Sequence, residues 1–197
     1  MPEIIPIFPL HTVLFPGGSL ALKIFETRYL DMVSECLHNN SGFGICLIRQ
    51  GKEVGRAAIT EEVGTWVRIV DFQQYPDGIL GITVQGQQRI QLIDTQVQPD
   101  NLVRGQVIRL VDASCPVGTR YAWLQELFLQ LAEPDKHGPG DSGNQLDDAA
   151  WLGFRLAGLL PLELQQQQAL LEIDAPQERL ERLLVWCSQS DEIARPG

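Results

Sequence analysis

Residues 4–37, IIPIFPLHTVLFPGGSLALKIFETRYLDMVSECL, predict a strand, a loop, a second strand and a helix in succession. Residues 4–8 and 20–24 are apolar runs of strand length, and prolines and glycines lie between them. A helix is predicted from residue 25, because apolar side chains then recur with the spacing i, i+3, i+4, i+7 and i+8. The members of this stripe are Tyr29, Met32, Val33, Cys36 and Leu37. The helix therefore has one face that can pack against the strands.

The next part of the chain repeats short apolar runs that are separated by turn residues. Tyr75-Pro76-Asp77-Gly78 is a strong turn signal and predicts a hairpin between the strands that flank it. Closely spaced strands with one helix between them predict an α+β fold, in which the strands form a closed or nearly closed barrel. The strands are predicted over residues 44–49, 65–72, 79–85, 90–97 and 102–111, with a short extended piece over residues 57–60.

The sequence pattern changes at residues 112–118, DASCPVG, and its period becomes helical afterwards. We therefore predict a β-rich subdomain at residues 1–112 and a helical subdomain at residues 118–190. Residues 133–147 are rich in glycine, proline and polar residues, which predicts a flexible loop. Helices are predicted over residues 119–132, 148–160 and 162–171, with a last helix after residues 173–176.

Many residues of the first stretch stand at fixed spacing, which makes a comparison with known families specific. They are Phe8-Pro9-Leu10, Val13 to Gly17, Leu20, Leu22, Ile24-Phe25-Glu26, Arg28-Tyr29 and Met32. Together they resemble the start of the amino-terminal domain of Lon proteases, a domain that also occurs alone in small bacterial proteins. The resemblance continues at Gly78, Ile82, Gly86 and Arg89-Ile90, and in the helical part at Leu159 to Leu162, Leu170 to Glu172 and Glu178 to Leu180. It implies a PUA-like pseudo-barrel with an inserted helix, followed by a small C-terminal helical subdomain.

Composition and charge limit the classes of partner. The 197 residues carry a formal net charge of −10, and the 15 lysines and arginines are scattered along the chain. Binding to nucleic acid depends on lysine and arginine near the phosphates, so the sequence disfavours a nucleic-acid partner. No apolar run reaches the roughly 20 residues of a membrane span, and the chain does not open with a secretion signal. We therefore expect a cytoplasmic protein that does not associate with membranes.

The sequence contains no convincing catalytic motif. Residues 140–143, GDSG, share four letters with the nucleophile segment of chymotrypsin-like proteases, but they lie in the predicted flexible loop. Gly51-Lys52 lacks the preceding glycine and the following serine or threonine of a phosphate-binding loop. None of the three histidines has a ligand partner three or four residues further on, and the four cysteines are widely spaced. We therefore predict no catalytic residue, no cofactor and no metal site.

Apolar residues of the first stretch are the first candidates for binding. Val13, Leu14 and Phe15 are expected to be exposed, because a loop cannot hide its side chains as easily as a helix can. Two locations are possible for the aromatic side chains of Phe15, Phe25 and Tyr29: the hydrophobic core or the wall of a groove. The core is the favoured interpretation for these aromatic residues, because such side chains are more often buried.

Arg28 and Glu26 also leave two interpretations open. In one, they pair with backbone groups and neighbours, and thereby fasten the helix to the first strands. In the other, Arg28 lies in a groove and meets a peptide carbonyl or carboxylate. The candidate polypeptide-binding residues are therefore Val13, Leu14, Phe15, Phe25, Arg28 and Tyr29.

The resemblance also implies a function. The chain ends where a complete Lon protease continues into its ATPase and protease parts, so we expect the recognition part alone, a non-enzymatic module. Its expected partners are unfolded or exposed polypeptide segments, and a separate protease or chaperone is a further candidate. The two expected binding modes are apolar anchoring in a groove and strand addition at an open barrel edge. Two alternatives remain open: an RNA-associated PUA-like module, and a protein or enzyme that binds a small molecule.

Overall fold

The computed structural model describes residues 2–76, 78–132 and 145–189. The chain separates into two compact units, Met1–Val111 and Asp112–Gly197. The elements of the first unit are β1 (Glu3–Leu10), β2 (Ser19–Ile24), α1 (Thr27–His38), β3 (Phe43–Gln50), β4 (Ile59–Thr60), β5 (Val63–Gln74), β6 (Leu80–Val97) and β7 (Val103–Arg109). Those of the second are a 3₁₀ turn (Thr119–Tyr121), α2 (Ala122–Leu131), α3 (Ala149–Leu159), α4 (Leu164–Glu172) and α5 (Pro176–Gln189).

The sheet of the first unit closes on itself. Antiparallel pairs join β1 to β7, β7 to β6, β6 to β5 and β5 to β3. A parallel pairing of β3 with β1 completes the ring, so these five strands form a barrel. The short β4 extends β3, and β2 pairs with the first half of β6. The predicted α+β fold, a β-rich pseudo-barrel with one inserted helix, is confirmed.

Strand β1 is buried on both faces, because successive side chains of a strand point in opposite directions. Ile5 and Ile7 pack with apolar residues of β3, β6 and β7. Phe8 and Leu10 belong to a second cluster, which includes α1. Gly44 permits close packing in the first cluster, since a Cβ atom there would lie 2.7 Å from the Cδ1 atom of an isoleucine on β6. Burial on both faces explains why β1 is a continuous apolar run in the sequence.

The apolar stripe predicted for α1 packs against the barrel strands. Its first four members, from Tyr29 to Cys36, are buried. The Tyr29 ring stacks on Phe8, with the two ring centroids 4.1 Å apart. Leu37, the last predicted member, is instead exposed. It lies in the final turn of the helix, so the buried stripe ends one residue earlier than predicted.

Strand β6 is a single strand of 18 residues, where the sequence predicted two strands separated by residues 86–89. The interpretation of these residues as a break was wrong. Gly86 exchanges two backbone hydrogen bonds with the loop that precedes β2: Gly17 donates to its C=O and Gly86 donates to the C=O of Gly18, each over 2.8 Å. Pairing with β5 also continues across the segment, with a shift of register between Trp66 and Val67. Tertiary pairing therefore overrides the local turn chemistry.

The second unit is built around α3, whose residues are buried along most of its length. Asp148 caps its first turn by accepting hydrogen bonds from the N–H groups of Ala150 and Trp151. The guanidinium of Arg179, on α5, is fully buried and lies 3.7 Å from the ring centroid of Phe154. It donates hydrogen bonds to the C=O groups of Leu170 and Ile173, and it lies 3.3 Å from the Asp112 carboxylate, so it is a structural cation.

Some predictions fall on residues that the structure does not describe. The flexible loop was predicted over residues 133–147, of which only residues 145–147 are described. The GDSG segment and His137 also lie outside the described residues. In the part of the chain that is described, no helix is long and apolar enough to cross a membrane.

Candidate functional site

The loop residues that were expected to be exposed are largely inside the molecule. Leu14 is buried and Phe15 is only 3% exposed, while Val13 is half-buried. The expectation of exposure was therefore wrong for Leu14 and Phe15. The loop folds back on the barrel, where the C=O of Leu14 accepts a hydrogen bond of 2.5 Å from the Thr65 hydroxyl. The backbone C=O of Phe15 also lies so close to Gly86 that a Cβ atom there would be 2.3 Å from its oxygen.

The two aromatic residues at the start of α1 have different environments. Tyr29 is 5% exposed, as the core interpretation predicted, but Phe25 is 59% exposed. The core interpretation was therefore wrong for Phe25. Ile24 ends β2 with its side chain buried, and the next residue of an extended chain points the opposite way. Phe25 is thereby directed outward, between the end of the strand and the first turn of the helix.

Arg28 fastens the helix to the barrel, as the first of the two interpretations held. Its side chain is buried, and its Nη1 donates to the C=O of Asn101 over 2.9 Å. Its Nη2 lies 3.0 Å from the Glu26 carboxylate, and its guanidinium lies over the Tyr29 ring, 4.5 Å from the centroid. A side chain with these internal partners is not available to a peptide carbonyl.

Phe25 and Tyr29 line a cavity of about 270 Å³ in the first unit, which we call the Phe25 pocket. Most of its walls are apolar, and two carboxylates and one ammonium group contribute the charges. The lining residues are Phe8, Leu10, Ala21, Leu22, Lys23, Phe25, Glu26, Tyr29, Glu53 and Val54. The structure thus brings two of the six predicted binding residues together, and places the other four elsewhere.

Glu53 and Val54 form one side of the Phe25 pocket, and two exposed hydrogen bonds hold their segment in place. Glu53 accepts from the backbone N–H of His11 over 2.7 Å, and Glu26 accepts from the N–H of Gly55 over 3.3 Å. Both bonds end on carboxylates, which places negative charge at the rim. The half-exposed side chain of Val54 adds apolar surface beside Phe25.

The phenol of Tyr29 is the titratable group of the pocket with a large pKa shift. Burial raises the pKa of Tyr29 to about 12; Arg28 opposes this rise, and Glu26 and Glu53 add to it. Tyr29 is therefore a neutral phenol at physiological pH. It can take part in hydrogen bonding, but it is a poor base and a poor nucleophile.

The other resolved shifts give no sign of catalytic chemistry. Burial raises the pKa of the thiols of Cys36, Cys46 and Cys187, which disfavours the reactive thiolate. Burial also raises the pKa of Tyr121. Among the described residues no group of three or more histidine, cysteine, aspartate or glutamate side chains could hold a metal ion. What the Phe25 pocket offers is an apolar surface with a charged rim.

Sequence reasoning did not find Glu53 and Val54. A signal was present, because Val54 is an isolated apolar residue between Glu53 and Gly55 in an otherwise polar turn. An apolar side chain in such a turn has no core neighbours along the chain and is a candidate for surface contact. Lys23 and Leu22 were missed as well, because a strand pattern does not show which surface a loop from elsewhere will cover.

Solved structures share this fold. A Lon N-terminal domain protein from Xanthomonas campestris matches with a TM-score of 0.80 and 37% identity, over 93% of this chain and 98% of that one. The N-terminal domain of a Lon protease of the Mycobacterium avium complex matches with a TM-score of 0.70 and 18% identity, over 93% and 97% of the two chains. The architecture is that of a Lon N-terminal domain.

The sequence comparison assigns the family. The family described as ATP-dependent protease La (LON) substrate-binding domain matches residues 4–189, and this chain belongs to it. Lon protease 2 of Herpetosiphon aurantiacus is 27% identical over 198 residues, and Lon protease of Roseiflexus castenholzii is 29% identical over 205 residues. These matches take in 96% and 100% of this chain, but only 24% and 25% of the relatives. The chain thus spans about a quarter of their length.

Proposed function

We propose that this chain is a polypeptide-recognition module, which binds exposed apolar side chains of unfolded segments in the Phe25 pocket. The observation that carries the proposal is the exposure of Phe25 at the mouth of an apolar pocket, in a domain of the Lon substrate-binding family. Phe25 and Val54 lie together at one pocket and leave adjoining apolar surface in water, which is the kind of surface that marks a binding site. A bound apolar side chain removes that surface from water.

The size of the pocket supports a side chain as its ligand. Its volume of about 270 Å³ lies just below the range of small-molecule sites, roughly 300–1,000 Å³. Burial of one apolar side chain contributes about 1.5–3 kcal/mol, so a single anchored residue gives weak binding. A micromolar dissociation constant needs further contacts along the same segment, since it corresponds to about 8 kcal/mol. Weak and repeated contacts suit a module that has to accept many sequences.

The alternatives receive less support. An RNA partner conflicts with the formal net charge of −10 and with the two carboxylates at the pocket rim. A catalytic role on a small molecule calls for a titratable group poised near neutral pH, whereas Tyr29 is shifted away from it. We therefore propose that this chain performs no chemical step by itself. Its role is to hold polypeptides for an ATPase and protease of the Lon kind, in the cytoplasm.

Fluorescence anisotropy of a labelled unfolded protein tests this proposal. The probe is reduced, carboxymethylated α-lactalbumin labelled with fluorescein, titrated with the full chain. Phe25→Ser is expected to raise the dissociation constant about tenfold, because it removes one buried apolar contact. Ile4→Ser is the matched control, since Ile4 is 70% exposed on β1 but does not line the pocket. Equal affinities of the wild-type and Phe25→Ser proteins, or no binding by the wild type, would overturn the proposal.

A further inference from the structure

Strands β4 and β6 diverge and leave a cleft between them. Pairing between β5 and β6 reaches Val63 and Gln91, and one more backbone bond joins Leu92 N–H to the C=O of Glu62 over 2.7 Å. Beyond this point β4 pairs only with β3, and β6 pairs only with β7. The space between the two strands holds a cavity of about 340 Å³, which we call the β4–β6 cleft.

The backbone of Thr60 faces this cleft. Glu61 donates its N–H to the C=O of Leu47 on β3, and the next residue, Glu62, bonds to β6 instead. Backbone groups of successive residues in a strand point to opposite sides, so Thr60 faces the same way as Glu62. No described residue pairs with the backbone of Thr60 on that side. Its N–H and C=O are therefore free to bond to a strand in the cleft.

Backbone groups of β6 face the cleft from the other side. Leu110 donates its N–H to β6, so the even-numbered residues of β7 direct their backbone groups to β6. Their partners in the second half of β6 are Asp94 and Gln96. Thr95 and Val97 alternate with these two residues, so they direct their backbone N–H and C=O groups to the opposite side, which is the cleft. The Thr95 N–H is bonded to the Asp94 carboxylate over 2.8 Å, which is an exposed and replaceable bond.

Three exposed apolar side chains line the cleft. Ile59 and Ile93 are each 51% exposed, and Val97 is exposed as well. Proteins usually protect free strand edges with charges, prolines or a covering loop, because a bare edge pairs with other chains. Here two such edges face each other across the cleft, whose lining combines apolar side chains with the charged groups of Arg49, Glu62 and Asp94.

We propose that the β4–β6 cleft is a second binding site, which takes an extended segment of a partner polypeptide as an added strand. Backbone bonds to Thr60, Thr95 and Val97 would hold the segment whatever its sequence, and its alternate side chains would contact the isoleucines that line the cleft. The inference rests on the proposed function only in taking a polypeptide as the ligand. The site itself is separate from the Phe25 pocket and shares no lining residue with it.

Amide hydrogen exchange tests the cleft in the wild-type chain. The probe is the labelled carboxymethylated α-lactalbumin described above, added at a concentration at which anisotropy shows it to be bound. Peptides covering residues 57–62 and 93–98 are expected to exchange at least about fivefold more slowly with the probe than without it. Unchanged exchange while anisotropy shows binding would overturn the cleft and leave the Phe25 pocket standing. No binding of the probe at all would overturn both.

A substitution isolates the backbone contact. Val97→Pro removes an N–H that faces the cleft, and it leaves the bonds between β6 and β7 in place. It is expected to raise the dissociation constant about fivefold, as the loss of one hydrogen bond does. Val111→Pro, at an exposed position outside the strands, is the control. Equal affinity of the two variants for the probe would overturn the inference. Dimerisation of the chain through the cleft in the absence of the probe would also overturn it, because the cleft would then bind a second copy of this chain.

Discussion

Phe15 and Phe25 lie on either side of strand β2, and their side chains differ in exposure to solvent. Phe15 lies in a loop but is buried, and its backbone lies against Gly86 on β6. Phe25 precedes a helix but is exposed, because Ile24 takes the inward position at the end of β2. The residue type predicted burial for both phenylalanines, which is correct for Phe15 and wrong for Phe25, whereas the loop position predicted exposure of Phe15, which is wrong. Both depend on which way the backbone points at one position.

Two buried groups that lose a proton at high pH, the Tyr29 phenol and the Cys46 thiol, make the stability of this protein depend on pH in the alkaline range. Burial raises the pKa of Tyr29 from 10.0 to about 12 and that of Cys46 from 9.0 to about 12. Both groups are neutral when protonated, so the folded state holds these protons more tightly than the unfolded state does. Their contribution to stability is full below pH 9 and falls as the pH rises towards 12, because the unfolded state then loses protons first.

Urea unfolding at about pH 8 and about pH 11 measures this effect. The free energy of unfolding is expected to be lower at the higher pH. Tyr29→Phe removes one of the groups, so the loss of stability between the two pH values should be smaller in this variant. His38→Gln, at an exposed position on the same helix, serves as the control. A wild-type protein equally stable at both pH values would contradict the account.

At the scale of elements, β6 connects the two halves of the barrel. Its first half pairs with β2 and β5, and its second half pairs with β7. The junction is at Gly86, where the loop before β2 reaches the strand. A Cβ atom at this position would lie 2.3 Å from the C=O oxygen of Phe15, which is backbone and cannot rotate away.

Gly86→Ala is therefore expected to destabilise the protein by about 1–3 kcal/mol, the usual cost of overpacking. The loop and Phe15 have to move for the added methyl group to fit. Thermal and urea unfolding measure the change, with Gln87→Ala at the neighbouring exposed position as the control. If both variants unfold like the wild type, the close approach of the loop to β6 is not present in solution.

At the scale of the whole chain, the sequence predicted the fold better than the site. The helical stripe from Tyr29 to Cys36 and the closely spaced strands are periodic, and their period follows from burial on one face. The Phe25 pocket instead combines β1, β2, the start of α1 and the two residues Glu53 and Val54. Its walls come together only after folding. Glu53 and Val54 lie 28 and 29 positions after Phe25, and no local pattern connects them with it.

The two binding features of this account both lie in the first unit, Met1–Val111. One offers an apolar pocket for a side chain, and the other offers strand edges for a backbone. A module that uses both can hold an unfolded segment with little dependence on its sequence. The proposed combination is consistent with membership of the Lon substrate-binding family.

Site-specific photo-crosslinking tests the central claim most directly. A benzophenone-bearing phenylalanine is placed at position 25 and, in a second protein, at position 4, which is more exposed to solvent than position 25 but lies outside the pocket. Each of the two proteins is irradiated once with unfolded, carboxymethylated α-lactalbumin and once with native, folded α-lactalbumin. The account predicts a crosslink to the unfolded form from position 25, and much less from position 4 or to the folded form. Equal crosslinking from the two positions, or none from position 25, would contradict it.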